Sequence, residues 1–365
     1  MTKSVSNSLA RIVRADSAAA DMATRAGLIY VSDRIAGYRR QRRGRGFRYL
    51  LPDDRRLKSP TELQRIARLA IPPAYENVWI CMDPHGHLQA TGRDARGRKQ
   101  YRYHPEWRSV RDDAKFERMT TFAEALPRLR RKLARDLALA GLPRQKVIAA
   151  VVSILDATRV RVGNVEYARD NKSFGLTTLR SRHVSYIRDG RVLLSFRGKG
   201  GVPHEVFIDD KRIAKIMRRC QELPGQQLFQ YVTDDGLRAP IDSGQVNDYL
   251  RDAMGDDFTA KDFRTWGATL KAIILLARTP LPANGGDRAF KSEIANVVEQ
   301  VAAELRNTPA VCRKSYINPV VFDAWRSGVI QKAFHGGLRL AASRQAESRV
   351  LAFLVRHASN AARAN

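Results

Sequence analysis

Two glycine-punctuated tracts constrain the fold most. In the first, Val78 to Met82, a turn at Asp83-Pro-His-Gly86, His87 to Thr91, a turn from Arg93 to Gly97, and Arg98-Lys-Gln-Tyr-Arg-Tyr103 follow one another directly. In the second, His183 to Ile187, Asp189-Gly190, Arg191 to Arg197, Gly198 to Gly201 and Val202 to Ile208 repeat the arrangement. Connections this short join antiparallel neighbours, and Asp-Gly is a favoured hairpin turn. Each tract therefore reads as a small antiparallel meander. In the last run of the first tract, Lys99, Tyr101 and Tyr103 share one face and Gln100 and Arg102 the other, because strand side chains alternate. Either face can enter a groove.

The rest is helical in pattern. Ser59-Pro-Thr-Glu62 reads as a helix start, with Ser59 as N-cap, Pro60 at N1 and Glu62 at N3. Leu63, Ile66, Leu69 and Ala70 follow as its apolar face, and Pro72-Pro73 stops it. Composition turns polar and charged from Trp107 to Lys115, which reads as a connector. Leu126, Leu129, Leu133 and Leu137 then mark a helix ended by Gly141-Leu-Pro143. Val147 to Leu155 begins a second helix, expected to carry through to Arg159 and Arg161 and so to hold Arg161 on a buried element. From Asp209 on the chain reads mostly helical. Lys261 to Ala277 is one helix, with Lys261 and Arg264 one turn apart on one face. Ile294, Val297, Val298, Val301 and Leu305 stripe another helix, closed by Asn307-Thr-Pro309, and Gly336 to Ala364 reads as the last. The fold class expected is α+β. A small β-rich N-terminal lobe, residues 25–110, precedes a larger, mostly helical lobe with its own meander, residues 111–365. Residues 1–24 read as a flexible lead-in.

Charge narrows the function. Lysine plus arginine number 65 against 37 aspartate plus glutamate, a net charge of +28. Such an excess calls for an acidic partner, nucleic acid first and an anionic membrane second. Arginine predominates, which suits bidentate phosphate contacts. Arg39, Arg40, Arg42, Arg43, Arg45 and Arg48 lie among Tyr38, Phe47 and Tyr49, a pattern suited to phosphate contact with base or sugar packing. No apolar run is long enough to span a membrane and the N-terminus has no apolar signal core. Cys81, Cys220 and Cys312 are too few and too far apart for a disulfide framework or a CxxC metal site. The expected compartment is therefore reducing, the cytoplasm with its nucleoid. Gly92 to Lys99 is not a phosphate loop, since Arg98 stands where the motif needs lysine and no Ser or Thr follows. Cys81, His85, His87 and His104 match no zinc spacing, so no metal is expected.

One stretch carries the candidate chemistry: Asn307-Thr-Pro-Ala-Val-Cys-Arg-Lys-Ser-Tyr-Ile-Asn-Pro319. It sets Tyr316 just after Arg313 and Lys314. Three upstream basic clusters can bring a phosphate to that tyrosine: Arg159-Val-Arg161-Val-Gly, Arg197-Gly-Lys199-Gly-Gly and Lys261-Asp-Phe-Arg264. The reading is that Tyr316 attacks a DNA phosphodiester and holds the strand covalently.

These residues resemble the type IB DNA topoisomerases, in the short poxvirus-like branch that also occurs in bacteria. The resemblance rests on Gly97-Arg-Lys-Gln-Tyr-Arg-Tyr103, Arg161-Val-Gly-Asn-Val-Glu-Tyr167, Gly175-Leu-Thr-Thr-Leu179, Gly198-Lys199, Lys261-Asp-Phe-Arg-Thr265, Asn307-Thr-Pro309 and Ser315-Tyr316, in the family's order. It implies Tyr316 as nucleophile, Arg161 and Arg264 clamping the scissile phosphate, and Lys199 as general acid assisted by Lys261. It places Gln100, Tyr101, Tyr103 and Tyr167 at DNA-contacting positions. Asn307 stands where the poxvirus pattern has His, so its part is positional and electrostatic, because an amide donates but does not titrate. Asn164 stands where that pattern has Lys. The implied protein is a monomeric, C-shaped clamp on double-stranded DNA that relaxes supercoils of either sign without ATP, cofactor or obligatory metal. Two other readings compete. A tyrosine recombinase shares the constellation but typically carries His-x-x-Arg where this chain has Lys261-Asp-Phe-Arg264, and it lacks the Gln100-Tyr-Arg-Tyr103 meander. A non-enzymatic basic nucleoid protein gives no reason for Arg161, Lys199, Arg264 and Tyr316 to occur together.

Overall fold

The structure, a computed structural model, describes residues 19–335 and 344–364 apart from 45, 96, 98, 188–189, 256–257 and 283–285; the side chains of 111–113 and 358–364 are also outside the description. The chain divides into two compact units, residues 1–115 and 116–365. Arg45, Arg98 and Asp189, and the stretches 1–18 and 336–343, are sequence-read positions outside the described residues.

The first unit is built on a five-stranded antiparallel sheet of order β2-β1-β3-β4-β5. Its strands are β1 (Tyr38–Arg43), β2 (Gly46–Leu50), β3 (Glu76–Ile80), β4 (Leu88–Arg93) and β5 (Lys99–Tyr103). The expected three-strand meander is β3 to β5, and the arginine-rich stretch before it is a hairpin that the reading did not assign. Arginine side chains are poor strand signals, yet here one of them fastens the sheet to the chain beyond it. Arg40 donates to the carbonyls of Ile71, Pro72 and Tyr75 at 3.2, 3.0 and 2.6 Å and lies 4.2 Å from the Phe47 ring centre. Helix α2 (Pro60–Arg68) starts as its sequence predicts, with Ser59 Oγ accepting from Glu62 N. Its Ile66 packs with Tyr38, Leu57, Val78, Ile80 and Ala90 as the core of the unit. Residues 19–25, read as part of a flexible lead-in, form a helix, α1, whose Ala23 is buried with Leu28 and Trp107.

The connector expected from Trp107 to Lys115 is helical, the first part of α3 (Pro105–Leu137), and the division between the two units falls at its end. From Phe116 on the helix belongs to the second unit. Phe116, Met119, Phe122, Ala123, Leu126, Leu129 and Leu133 then recur at helical spacing and are buried. The helices α4 (Arg144–Thr158) and α8 (Asp262–Leu276) are apolar almost all round, which marks them as the centre of the unit. Helices α6 (Lys211–Glu222) and α7 (Ser243–Met254) pack on α4. Helices α9 (Asp287–Leu305), α11 (Val320–Arg326), α12 (Val329–Ala333) and α13 (Arg344–Ala364) pack on α8. The second meander is the antiparallel sheet β6-β7-β8, with β6 (Val184–Tyr186), β7 (Val192–Arg197) and β8 (Pro203–Ile208). A short hairpin of β9 (Gln230–Val232) and β10 (Arg238–Pro240) interrupts the region read as mostly helical. Among the described residues no helix is long and apolar enough to cross a membrane.

One ionic cluster ties three of these helices. Arg130 on α3 donates to both oxygens of Asp156 on α4 (2.8 and 3.0 Å) and both of Glu347 on α13 (2.5 and 3.0 Å). All three side chains are at most 19% exposed. Removing the cation would leave two sheltered carboxylates facing each other, a far worse arrangement than having none. Arg130→Ala is therefore expected to lower stability by about 3 kcal/mol in urea unfolding, and the triple change Arg130→Met, Asp156→Leu, Glu347→Leu to recover most of it. A loss below about 0.5 kcal/mol for Arg130→Ala would show that the cluster does not hold the helices together.

Candidate active site

Tyr316 ends a short helix that the sequence reading did not assign. Helix α9 stops at Leu305 because Arg306 turns left-handed (φ 48). Asn307 follows. Thr308 and Pro309, expected only to close α9, then open α10 (Pro309–Ser315) as its N-cap and first residue. Tyr316 is the C-cap of α10, and its N–H donates to the Cys312 carbonyl at 3.0 Å. Thr269, fully buried on α8, fixes it further. The Thr269 hydroxyl donates to the Tyr316 carbonyl (3.2 Å) and accepts from the Asn318 N–H (3.1 Å). The backbone of the candidate nucleophile is thus pinned to the central helix.

Arg264 lies one turn into α8 and is 3% exposed. Its guanidinium donates to the Arg159 carbonyl at 2.5 Å and the Leu305 carbonyl at 3.0 Å. Both carbonyls sit at helix C-termini, of α4 and α9, and both helices end through a left-handed residue, Arg159 (φ 56) and Arg306 (φ 48). The negative ends of two helix dipoles therefore hold a buried cation. Arg264 Nε has no partner among the described residues, and its Cζ lies 5.0 Å from the Tyr316 ring centre.

Arg161 is not on α4, which corrects the sequence expectation. The helix ends at Thr158, and Arg161 and Val162 are extended. They pair instead with the Gly175 to Leu179 segment. The Arg161 carbonyl accepts from Leu176 N at 3.0 Å, and the Val162 carbonyl from Thr177 N at 2.7 Å and Thr177 Oγ1 at 3.0 Å. A Cβ on Gly175 would strike the Arg161 carbonyl and Gly163, so glycine is required for this close approach. Asn164 has a defined part as well. Its side chain accepts from Tyr167 N at 2.8 Å and caps α5 (Val165–Asn171), which places Tyr167 in the first turn.

Lys199 is exposed in the glycine turn between β7 and β8, where Gly200 and Gly201 take φ values of 77 and 79. Asn307 accepts from Thr308 N through Oδ1 (3.1 Å), while its buried Nδ2 has no partner among the described residues. The single face expected for Lys261 and Arg264 divides: Lys261 is exposed at the start of α8 and Arg264 is buried. In the first unit, Tyr101 and Tyr103 stack (5.9 Å, 7°) with Lys99 5.6 Å from the Tyr101 ring, so the expected shared face exists. Tyr101 is exposed. Gln100 donates to Asp94 (2.9 Å) and Lys99 pairs with Asp33 (2.5 Å).

The electrostatics converge on the Tyr316 hydroxyl. Burial pushes its pKa up, but the neighbouring guanidinium of Arg264, and then the charges of Arg161 and Lys199, bring it below the ordinary tyrosine value. Burial lowers the pKa of Arg161, as does the neighbouring Arg264, while Tyr316 opposes both. The structure therefore brings Tyr316, Arg161, Arg264 and Lys199 into one electrostatic neighbourhood, with Asn307 beside the carbonyl that holds Arg264. Sequence reading missed the residues that support it: Thr269, and Glu304, which takes Arg159 at 2.7 Å and Lys271 at 3.0 Å. No motif points to these, because their roles come from where α8 and α9 meet.

Comparison with known proteins agrees with this geometry. Residues 104–325 match the family described as eukaryotic DNA topoisomerase I, catalytic core, and residues 46–94 match the bacterial DNA topoisomerase IB N-terminal domain. DNA topoisomerase 1B of Acanthamoeba polyphaga mimivirus is 35% identical over 288 residues, covering 78% of this chain and 85% of the viral protein. DNA topoisomerase 1B of vaccinia virus (strain Copenhagen) is 22% identical over 278 residues, covering 73% of this chain and 79% of its own length. With a catalytic-core match across most of its length and a 35% identical relative, the chain belongs to the type IB DNA topoisomerases.

Proposed function

We propose that this topoisomerase relaxes positive and negative supercoils by a transient break made by Tyr316. The observation that carries the assignment is the Tyr316 hydroxyl, drawn below its ordinary pKa by Arg264, Arg161 and Lys199 together. Tyr316 Oη attacks the phosphorus of one DNA phosphodiester and gives up its proton to solvent water. The bond from phosphorus to the 5′ oxygen breaks, leaving a 3′-phosphotyrosine and a free 5′-hydroxyl. Arg161 and Arg264 bind the non-bridging oxygens and stabilise the charge that builds up on five-coordinate phosphorus. Asn307 Nδ2 donates to one of the same oxygens. Lys199, helped by Lys261, gives its proton to the departing 5′ oxygen.

Each part answers a chemical need. An ordinary tyrosine is only about one part in a thousand phenolate at neutral pH. An alkoxide leaving group is about as poor as hydroxide, whose acid has a pKa of about 15.7, so a lysine proton near pKa ~10.4 can lower the barrier by up to roughly 7 kcal/mol. Religation reverses the steps. One phosphodiester replaces another, so the bond energy is conserved and no ATP is needed.

The protein acts as a monomer that clamps the duplex, in the cytoplasm where the nucleoid lies. The net charge of +28 supports duplex DNA as the partner. In this reading the first unit, with Gln100, Tyr101 and Tyr103, and Tyr167 of the second contact the DNA flanking the break. The second unit carries the chemistry.

Three outcomes are expected. Wild-type protein should relax plasmids of both supercoil signs with chelator present and without ATP, and denaturant should trap covalent DNA. Tyr316→Phe should lose both activities. Adduct without relaxation would favour a recombinase, and relaxation surviving in Tyr316→Phe would mean another nucleophile. Lys199→Ala should slow single-turnover cleavage about 10²- to 10⁴-fold and recover on DNA with a 5′-thiol leaving group, whose acid is far stronger than an alcohol. An equal deficit on both substrates would remove Lys199 from the general-acid role. Ultraviolet titration of wild type minus Tyr316→Phe should show one phenol ionising below pH 10, since the shift is downward. A difference transition at or above that pH would contradict the proposed activation.

A further inference from the structure

His204 on β8 is 4% exposed and neither ring nitrogen has a hydrogen-bond partner among the described residues. Its position is tightly defined. It lies opposite Phe196 in the β7–β8 pairing, and the two rings stack at 5.0 Å and 11°. A Cβ on Gly198 would land on its Nε2 and Cδ2, so the Nε2 edge lies against the residue that precedes Lys199. Burial, and then the charges of Arg161, Arg306 and Arg264, hold its pKa down to about 4. The same arginines that face Tyr316 therefore face His204, and at neutral pH its ring is an uncharged group with one N–H donor and one acceptor.

A buried N–H with no acceptor is costly, and native proteins seldom keep one unless a ligand completes it. Two residues of the candidate site carry donors in the same condition. Arg264 Nε and Asn307 Nδ2 are also buried donors without partners among the described residues. Asn307 follows Arg306, whose charge reaches His204, and Arg264 reaches it directly. Among the described residues, the charges that act most on Tyr316 and His204 are those of arginines and Lys199. A phosphate offers such donors acceptor oxygens, with negative charge to offset the arginines that act on His204.

We infer that His204 is a further catalytic residue, whose imidazole N–H donates a hydrogen bond to a non-bridging oxygen of the scissile phosphate. The inference rests on Tyr316 being the nucleophile. It gives the β7–β8 hairpin two functions: Lys199 in its turn acts on the leaving oxygen, and His204, near the start of β8, acts on the phosphate. Simple packing under Gly198 accounts for the ring's shape but leaves both nitrogens without partners.

The test uses the full chain and a single-turnover oligonucleotide whose scissile phosphate is ordinary or carries sulfur at one or the other non-bridging position. His204→Phe keeps a ring to stack on Phe196 and removes the donor; His204→Gln keeps a donor. The expected result is a roughly 10²-fold slower cleavage for His204→Phe, the size found when one oxyanion donor is removed. DNA affinity should hold within about threefold, with the sulfur effect lost at one position only and partial recovery in His204→Gln. Wild-type cleavage by His204→Phe would overturn the inference. So would slowing that leaves both sulfur effects unchanged, because that is the mark of a structural role. Absence of adduct in the wild-type protein would instead overturn the Tyr316 assignment and this inference with it.

Discussion

A guanidinium that is 3% exposed must be paid for by its surroundings, and Arg264 shows how. A buried charge is tolerated only when hydrogen bonds replace its lost water. Among the described residues no carboxylate does this for Arg264. Two main-chain carbonyls do, at the ends of α4 and α9. A carboxylate there would neutralise the cation before any phosphate arrived. Carbonyl dipoles stabilise the charge and leave its net sign intact. The requirement fixes much else. The two helices must end beside each other, each through a left-handed residue, and the chain must leave each end at once. What leaves is the rest of the site: Arg161 two residues after Arg159, and Asn307 one residue after Arg306.

The acidic groups of this region stand one step back. Glu304 pairs with Arg159 and Lys271, and Asp262 pairs with Arg118 and accepts from Thr259. These pairs fix the elements that surround Arg264 without acting on the Tyr316 hydroxyl. Gly267 belongs to the same arrangement. A Cβ there would occupy the space where the Arg159 side chain crosses α8 on its way to Glu304. The central helix is thus small at the one point where a basic side chain must cross it.

How much of this was legible follows from the same physics. Ser59 as a cap, the two meanders and the Tyr101–Tyr103 face were readable because local rules decide them. The catalytic candidates were readable as an ordered set of short motifs. Other features depend on partners distant in sequence. The apolar run from Val147 suggests a helix reaching Arg161, but the backbone of Arg161 and Val162 is claimed by Leu176 and Thr177, and the helix stops short. Proline in Thr308-Pro309 was read as a stop, although Thr-Pro is equally the opening of a helix, and here it opens α10. The β1–β2 hairpin was hidden because its alternation is carried by arginines, one of which makes its contacts as a structural side chain. His204 gave no signal at all, since one histidine on an alternating strand acquires meaning only from the arginines that face it.

The site divides into parts fixed before DNA arrives and one part that must reach. The Arg264 guanidinium, the Arg161 backbone, Asn307 Oδ1 and the Tyr316 backbone are held by main-chain hydrogen bonds and Thr269. Their geometry is set by folding, so little reorganisation remains for the reaction step. Lys199 differs. It is exposed in a turn whose glycines adopt left-handed conformations, and an ammonium offers three donors on a long rotatable stem. The general acid of the proposed mechanism, which hands over a proton and takes it back on religation, is better served by such reach than by a fixed fork that never deprotonates. In the proposed mechanism the arginines answer the constant need, charge on the phosphate oxygens throughout the cycle, and the lysine answers the need that appears only while the 5′ oxygen departs or returns. The sequence fits that division, with Arg264 buried in the first turn of α8, Arg161 in the segment that follows α4, and Lys199 among glycines.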